Sequence, residues 1–157
     1  MKIKLIVVGK SSATYLLEGE KEYVKRLLHY INFEEIIITD VKHSGKLSES
    51  ELKKKEGQLI LDKLEHSDHV ILLEDKGKSY SSIDFANFLQ QKMNNSLKTL
   101  VFVVGGAFGF SDEVYLRANS KFSLSKMTFS HQMVRLIFKE QLYRGFSILR
   151  GEKYHHE

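Results

Sequence analysis

Apolar and polar positions follow two different periods along this chain, and the switches between them mark its elements. Lys2 to Val8 is a β-branched, nearly unbroken apolar run closed by Gly9-Lys10, which predicts a buried first strand. Tyr15, Leu16, Tyr23, Val24, Leu27, Leu28 and Ile31 recur at helical spacing and predict a helix over about 13–31. Glu34 to Asp40 reads as a second strand. After a polar loop, Ser48 with Glu51 three residues later forms a capping-box pattern that opens a helix over about 49–65. His69 to Asp75 predicts a central third strand. Ser81 or Ser82 caps a helix over about 83–94. Thr99 to Val104 is the fourth strand. Ser111 caps a short helix with Asp112 and Glu113 in its first turn, where the helix dipole favours acids. Lys121 to Leu124 is the last strand, and a long helix runs from about Ser130 to Leu149.

This near-strict alternation predicts an α/β fold, a mostly parallel sheet of about five strands with helices on both faces. Ligands in such folds gather at the carboxyl ends of the strands. Three polar or glycine-rich turns leave those ends, at 74–80, 105–110 and 125–130, and can converge on one pocket. No proline, repeat or linker divides the chain, so residues 1–157 are read as one domain.

The absence of cysteine excludes disulfides, thiolate metal sites and a cysteine nucleophile. Seven histidines include no HExxH and no acidic cluster at ligand spacing, so no metal is expected. The apolar run Leu5 to Val8 is too short for a secretory core or a membrane span, which makes a cytoplasmic protein the simplest expectation. The net charge of +4 is concentrated: from Arg117 onward, eight lysines and arginines face three glutamates. A basic surface that also carries Tyr143, Tyr154, His155 and His156 suits RNA, with cations on phosphates and rings on bases. A solvated helix face with a frayed tail accounts for the same charges.

Gly105-Gly106-Ala107-Phe108-Gly109 has neither dinucleotide-fingerprint nor phosphate-loop spacing. It allows close backbone approach to a ligand, or equally a tight strand-to-helix turn. Leu124, Met127 and Phe129 can wall an apolar slot, with Ser125, Lys126 and Thr128 and their backbone supplying polar contacts; a plain loop with three core side chains is the other reading. His131 lies at the start of the last helix, either as a base candidate or as a packing residue. Arg135, four residues on, can hold a phosphate or substrate carbonyl, or form a surface ion pair.

The run L-S-K-M-T-F-S-H-Q-M-V-R (124–135), then E-Q-L-Y-R (140–144) and R-G-E-K-Y-H-H (150–156), resembles the RlmH (YbeA-like) family of SPOUT-class ribosomal RNA methyltransferases. The opening M-K-I-K-L-I-V-V-G-K and V-F-V-V-G-G-A-F-G extend the resemblance over the whole chain. It implies a C-terminal trefoil knot, which general topology rules make rare. It also implies S-adenosylmethionine (SAM) as methyl donor, held by Leu73, Gly105 and Leu124 to Phe129. The implied reaction is methylation of N3 of a pseudouridine in the helix 69 loop of 23S ribosomal RNA, within the assembled ribosome. Tyr143, Arg144, Arg150, Tyr154, His155 and His156 then form the RNA-base side, across a homodimer interface from the cofactor. His131 or His155 is expected to assist loss of the N3 proton, and Arg135 or Arg144 to offset charge on the base. Two positions depart from the family pattern. Ser130 stands where proline is usual, and His156 where lysine or arginine is usual. A non-catalytic RNA- or nucleotide-binding module associated with the ribosome is the rival reading.

Overall fold

The computed structural model describes residues 1–42 and 44–155. Five strands, β1 (Lys2–Val8), β2 (Asn32–Ile38), β3 (His69–Ser79), β4 (Thr99–Val104) and β5 (Ser120–Ser123), form one sheet in the order β2-β1-β4-β3-β5. Every strand pairing in it is parallel. The helices are α1 (Thr14–Leu27), α2 (Glu49–Leu61), α3 (Ser82–Asn94), α4 (Asp112–Arg117) and α5 (Met133–Leu149).

The apolar runs read as strands are buried on both faces because helices cover both. Ile3, Leu5 and Val7 of β1 pack with Leu27 of α1, Phe85 and Leu89 of α3, and Phe138, Leu142 and Phe146 of α5. Ile6 and Val8 point the other way, toward Ile60 of α2 and Val114 of α4. The two-residue period of the strand sorts these side chains between two cores. The Ser48–Glu51 capping box forms as its spacing predicts, with both halves of the exchange present.

Element ends shift where pairing overrides local pattern. Helix α1 stops at Leu27 rather than near Ile31, and β2 begins at Asn32 rather than Glu34. Pairing with β1 in the register Lys2↔Asn32 to Val8↔Ile38 sets the limits of β2 and leaves Thr39 and Asp40 beyond its end. Strand β3 runs four residues past Asp75. It pairs β5 at Leu73↔Phe122, bulges, and pairs it again at Lys78↔Phe122 and Ser79↔Ser123.

After edge strand β5, the chain crosses the ends of β3 and β4 to reach β1. Gln132 marks its arrival: its side-chain oxygen accepts hydrogen bonds from the Ser12 backbone N–H (2.9 Å) and hydroxyl (3.3 Å). This path is compatible with the knot that the resemblance implies. Ser130 does close the start of α5, since its hydroxyl accepts from the Met133 N–H and its carbonyl from the Val134 N–H. The regular helix begins three residues after Ser130. No helix among the described residues is long and apolar enough to cross a membrane.

Candidate active site

The three segments read as turns in the sequence meet around one cavity of about 500 Å³, although the first of them, 74–80, is corrected to strand as far as Ser79 by its pairing with β5. The bulged part of β3 contributes Leu73, Glu74, Asp75 and Lys76; the β4 turn contributes Gly105, Gly106, Ala107 and Gly109; the crossing segment contributes Leu124, Ser125 and Met127 through His131. The volume lies within the range of small-molecule sites, and apolar walls with a few converging polar groups are their usual make-up. Leu73, Leu124, Phe129 and Val134 supply apolar surface here. Lys126 belongs to the same segment but does not line the cavity. These residues suit a nucleoside-sized cofactor, with side chains flanking a flat ring and the glycine turn leaving its backbone approachable.

Local hydrogen bonds shape the crossing segment. The Ser123 hydroxyl donates to the Ser125 carbonyl (2.8 Å), and the Ser125 hydroxyl accepts from the Met127 N–H (2.9 Å). These turns hold the backbone while Met127 stays 76 % exposed. The β4 turn folds back on itself, with the Gly109 N–H donating to the Gly106 carbonyl and Gly109 at φ +82°. The Glu74 carboxylate pairs with Lys121 (3.0 Å) and accepts from the Tyr115 hydroxyl (2.7 Å). Burial, and then that hydrogen bond, push the Tyr115 phenol up to about 12. Tyr115 was not singled out in the sequence, where it reads only as a residue of a short helix.

Behind the glycine turn lies Glu56 of α2. A Cβ on Gly106 would come within 2.5 Å of its carboxylate, and Glu56 Oε2 is buried without a hydrogen-bond partner. Burial, then the nearby Asp40, raises the Glu56 pKa. A carboxyl raised in the folded state binds its proton more tightly there than in the unfolded chain. Its ionisation therefore destabilises the fold above the folded-state pKa, and this effect vanishes below the ordinary glutamate range. Glu56→Gln is expected to raise Tm by about 2 °C or more at neutral pH, with the gain disappearing near pH ~4. Thermal melts of both proteins across that range check it.

The structure separates the proposed catalytic residues. His131 lines the cavity and is exposed. Arg135 does not line it. That guanidinium is 1 % exposed and donates to the Gly9 carbonyl (2.8 Å) and the Val8 carbonyl, closing the end of β1. The expected contact with a phosphate or substrate carbonyl is therefore corrected: helical spacing put Arg135 beside His131, but it points inward. Burial lowers its pKa, with Glu20 and Glu35 acting against this.

The C-terminal candidates form a second cluster, and none of them lines the 500 Å³ cavity. Arg144 pairs with Glu140 (2.6 Å), lies 4.7 Å from the Tyr154 ring centre and approaches His155 Nδ1 at 3.4 Å. The Tyr143 and Tyr154 rings meet edge to face at 4.7 Å. Arg150 is exposed, over the Tyr30 ring at 5.8 Å. His156 lies outside the described residues. Among the described residues no group of three or more His, Cys, Asp or Glu could hold a metal ion.

Comparison with known proteins places this geometry. Residues 1–155 match the family described as "Predicted SPOUT methyltransferase". A protein of Parabacteroides distasonis named "Ribosomal RNA large subunit methyltransferase H" is 55% identical over 157 residues, 100% of both chains. A protein of the same name from Flavobacterium johnsoniae is 56% identical over the same span and coverage. Among solved structures, a probable methylase family protein from Haemophilus influenzae superposes with a TM-score of 0.52 at 11% identity, covering 99% of this chain and 70% of that one, a likeness of fold. With its full length matched and its strand-end cavity in place, the chain belongs to the SPOUT methyltransferase family, in the group of large-subunit ribosomal RNA methyltransferases H.

Proposed function

We propose that this protein transfers a methyl group from SAM to N3 of a pseudouridine in the helix 69 loop of 23S ribosomal RNA, on the assembled ribosome in the cytoplasm. The observation that carries the reading is the single cavity that joins Leu73, Gly105 and the 124–129 segment at the strand ends of a chain in this family. When bound, SAM supplies an electrophilic methyl on a sulfonium. The apolar walls of the cavity and the backbone of the β4 turn would hold it, and that positioning would provide much of the rate. His131, at the cavity edge, and His155, beside Arg144, are the groups available to take the N3 proton. Arg144, paired with Glu140 but still partly exposed, is the cation that would offset charge on the base, since Arg135 is buried against the end of β1.

The working unit is proposed to be a homodimer. Cavity and C-terminal cluster lie apart within one chain, and a second copy can bring the tail of one to the cavity of the other. A monomer at micromolar concentration by light scattering counts against this.

The direct test is methyl transfer from isotopically labelled SAM to ribosomes lacking their own modification, beside the same RNA stripped of protein. Nucleoside mass spectrometry then identifies the product. Label in a methylated pseudouridine only with assembled ribosomes supports the reading. SAM binding without label reopens the substrate, and RNA binding indifferent to SAM favours a non-catalytic module. His155→Ala is expected to lower turnover by about 10²-fold with SAM affinity retained, the scale of a lost general base. Unchanged turnover removes His155 from the mechanism.

A further inference from the structure

The last residues of a domain are poorly ordered unless something ties them down. Here the chain leaves α5 through Gly151, at φ +67°, and turns back onto α1. Two tyrosines meet it there, Tyr23 on the helical spacing of α1 and Tyr30 in the turn that follows α1. The Tyr23 hydroxyl lies 3.1 Å from the Tyr154 hydroxyl, and the Tyr30 hydroxyl donates to the Glu152 carboxylate. Between them, Arg26 lies 5.6 Å from the Tyr23 ring centre and 5.5 Å from that of Tyr143.

The direction of the hydrogen bonds follows from the number of protons. Glu140 Oε1, as part of a carboxylate, only accepts; it receives the Arg144 guanidinium (2.6 Å) and the Tyr154 hydroxyl (3.1 Å). Tyr154 has then used its one proton, so its oxygen accepts from Tyr23. The relay runs Tyr23 to Tyr154 to Glu140, and Arg144 is fastened to the same carboxylate oxygen. Both Tyr154 and Tyr30 are held well above the ordinary tyrosine range, first by burial and then by these hydrogen bonds, so they remain donors at any working pH.

We propose that Tyr23 and Tyr30 are positioning residues: they latch residues 152–155 to α1 and to the turn that follows it, and thereby hold Tyr154 and His155 in the arrangement that meets the RNA base. This rests on the reading of the tail as the RNA-facing part of the site. Neither tyrosine touches the cofactor cavity, so the latch acts on the nucleic-acid side of the reaction only.

The test uses full-length Tyr23→Phe, Tyr30→Phe and the double variant, with Tyr15→Phe as a control at an exposed tyrosine. Phenylalanine keeps each ring and removes one hydroxyl. Brief trypsin treatment of folded protein reads the latch directly, because Lys153 is exposed beside Tyr154. The double variant is expected to be cut after Lys153 about fivefold faster than wild type, and its kcat/KM toward ribosomes to fall about tenfold with SAM affinity unchanged. Cleavage at the wild-type rate overturns the latch. Faster cleavage with unchanged kcat/KM overturns the positioning role. Should wild-type protein methylate no ribosomal RNA, the underlying reading fails, and the cleavage rates still judge the latch.

Discussion

A Lys139→Met protein is expected to lose about 3–5 kcal/mol of stability, the scale of breaking a buried ion pair from one side. Lys139 is fully buried, and its ammonium pairs with Glu20 (2.5 Å) and Glu35 (2.7 Å). Glu20 is buried too and accepts from the Ser11 hydroxyl (2.6 Å). Methionine leaves two carboxylates converging on an apolar side chain. The cluster joins α5 to α1 and β2, so its loss loosens the helix that anchors the crossing segment. Adding Glu20→Gln and Glu35→Gln should recover much of the deficit by removing both stranded charges. Urea denaturation at neutral pH measures both proteins. A loss under about 1 kcal/mol for the single variant would mean that the cluster behaves as a solvated surface pair.

Gly77→Ala should damage the fold and the site together. A Cβ there would lie 2.6 Å from both the carbonyl carbon and the nitrogen of Phe122, in the β3 bulge against β5. Backbone cannot rotate aside as a flexible side chain can, so the strands must part. The expected cost is about 2–4 kcal/mol, and SAM affinity should fall about tenfold or more, because Leu124 to Phe129 follow directly from β5. Gly45→Ala is the matched control, since nothing lies within 4 Å of a Cβ there. Chemical denaturation and calorimetric titration with SAM separate the two effects. A Gly77→Ala protein as stable as the control, with unchanged affinity, would show that β5 is free to shift.

Much of the cavity was legible because its pieces are local: strand ends followed by turns, in an alternating chain. The resemblance then attached a cofactor to those turns. What stayed hidden depends on pairing between distant residues. Lys76-Gly77-Lys78-Ser79 reads as a turn, and only the approach of β5 makes Lys78 and Ser79 part of β3. Charge reads as surface, yet Arg135 and Lys139 are buried. Two of the eight C-terminal cations are thus absent from the basic face inferred from composition, and Arg144 is already paired with Glu140. Nothing near Tyr23 in sequence indicates Tyr154, 131 residues away.

The strand order also sets a timetable for synthesis. Strand β1 finds its central partner only in β4, joining Lys2 to Thr99 and Val7 to Val104. Its apolar face is then covered in part by Phe138 of α5, a helix that follows all five strands in the chain. Such long-range closure slows folding and leaves apolar strands open to other chains meanwhile. Strand β1, the first made, thus keeps part of an apolar face uncovered until α5 has been made.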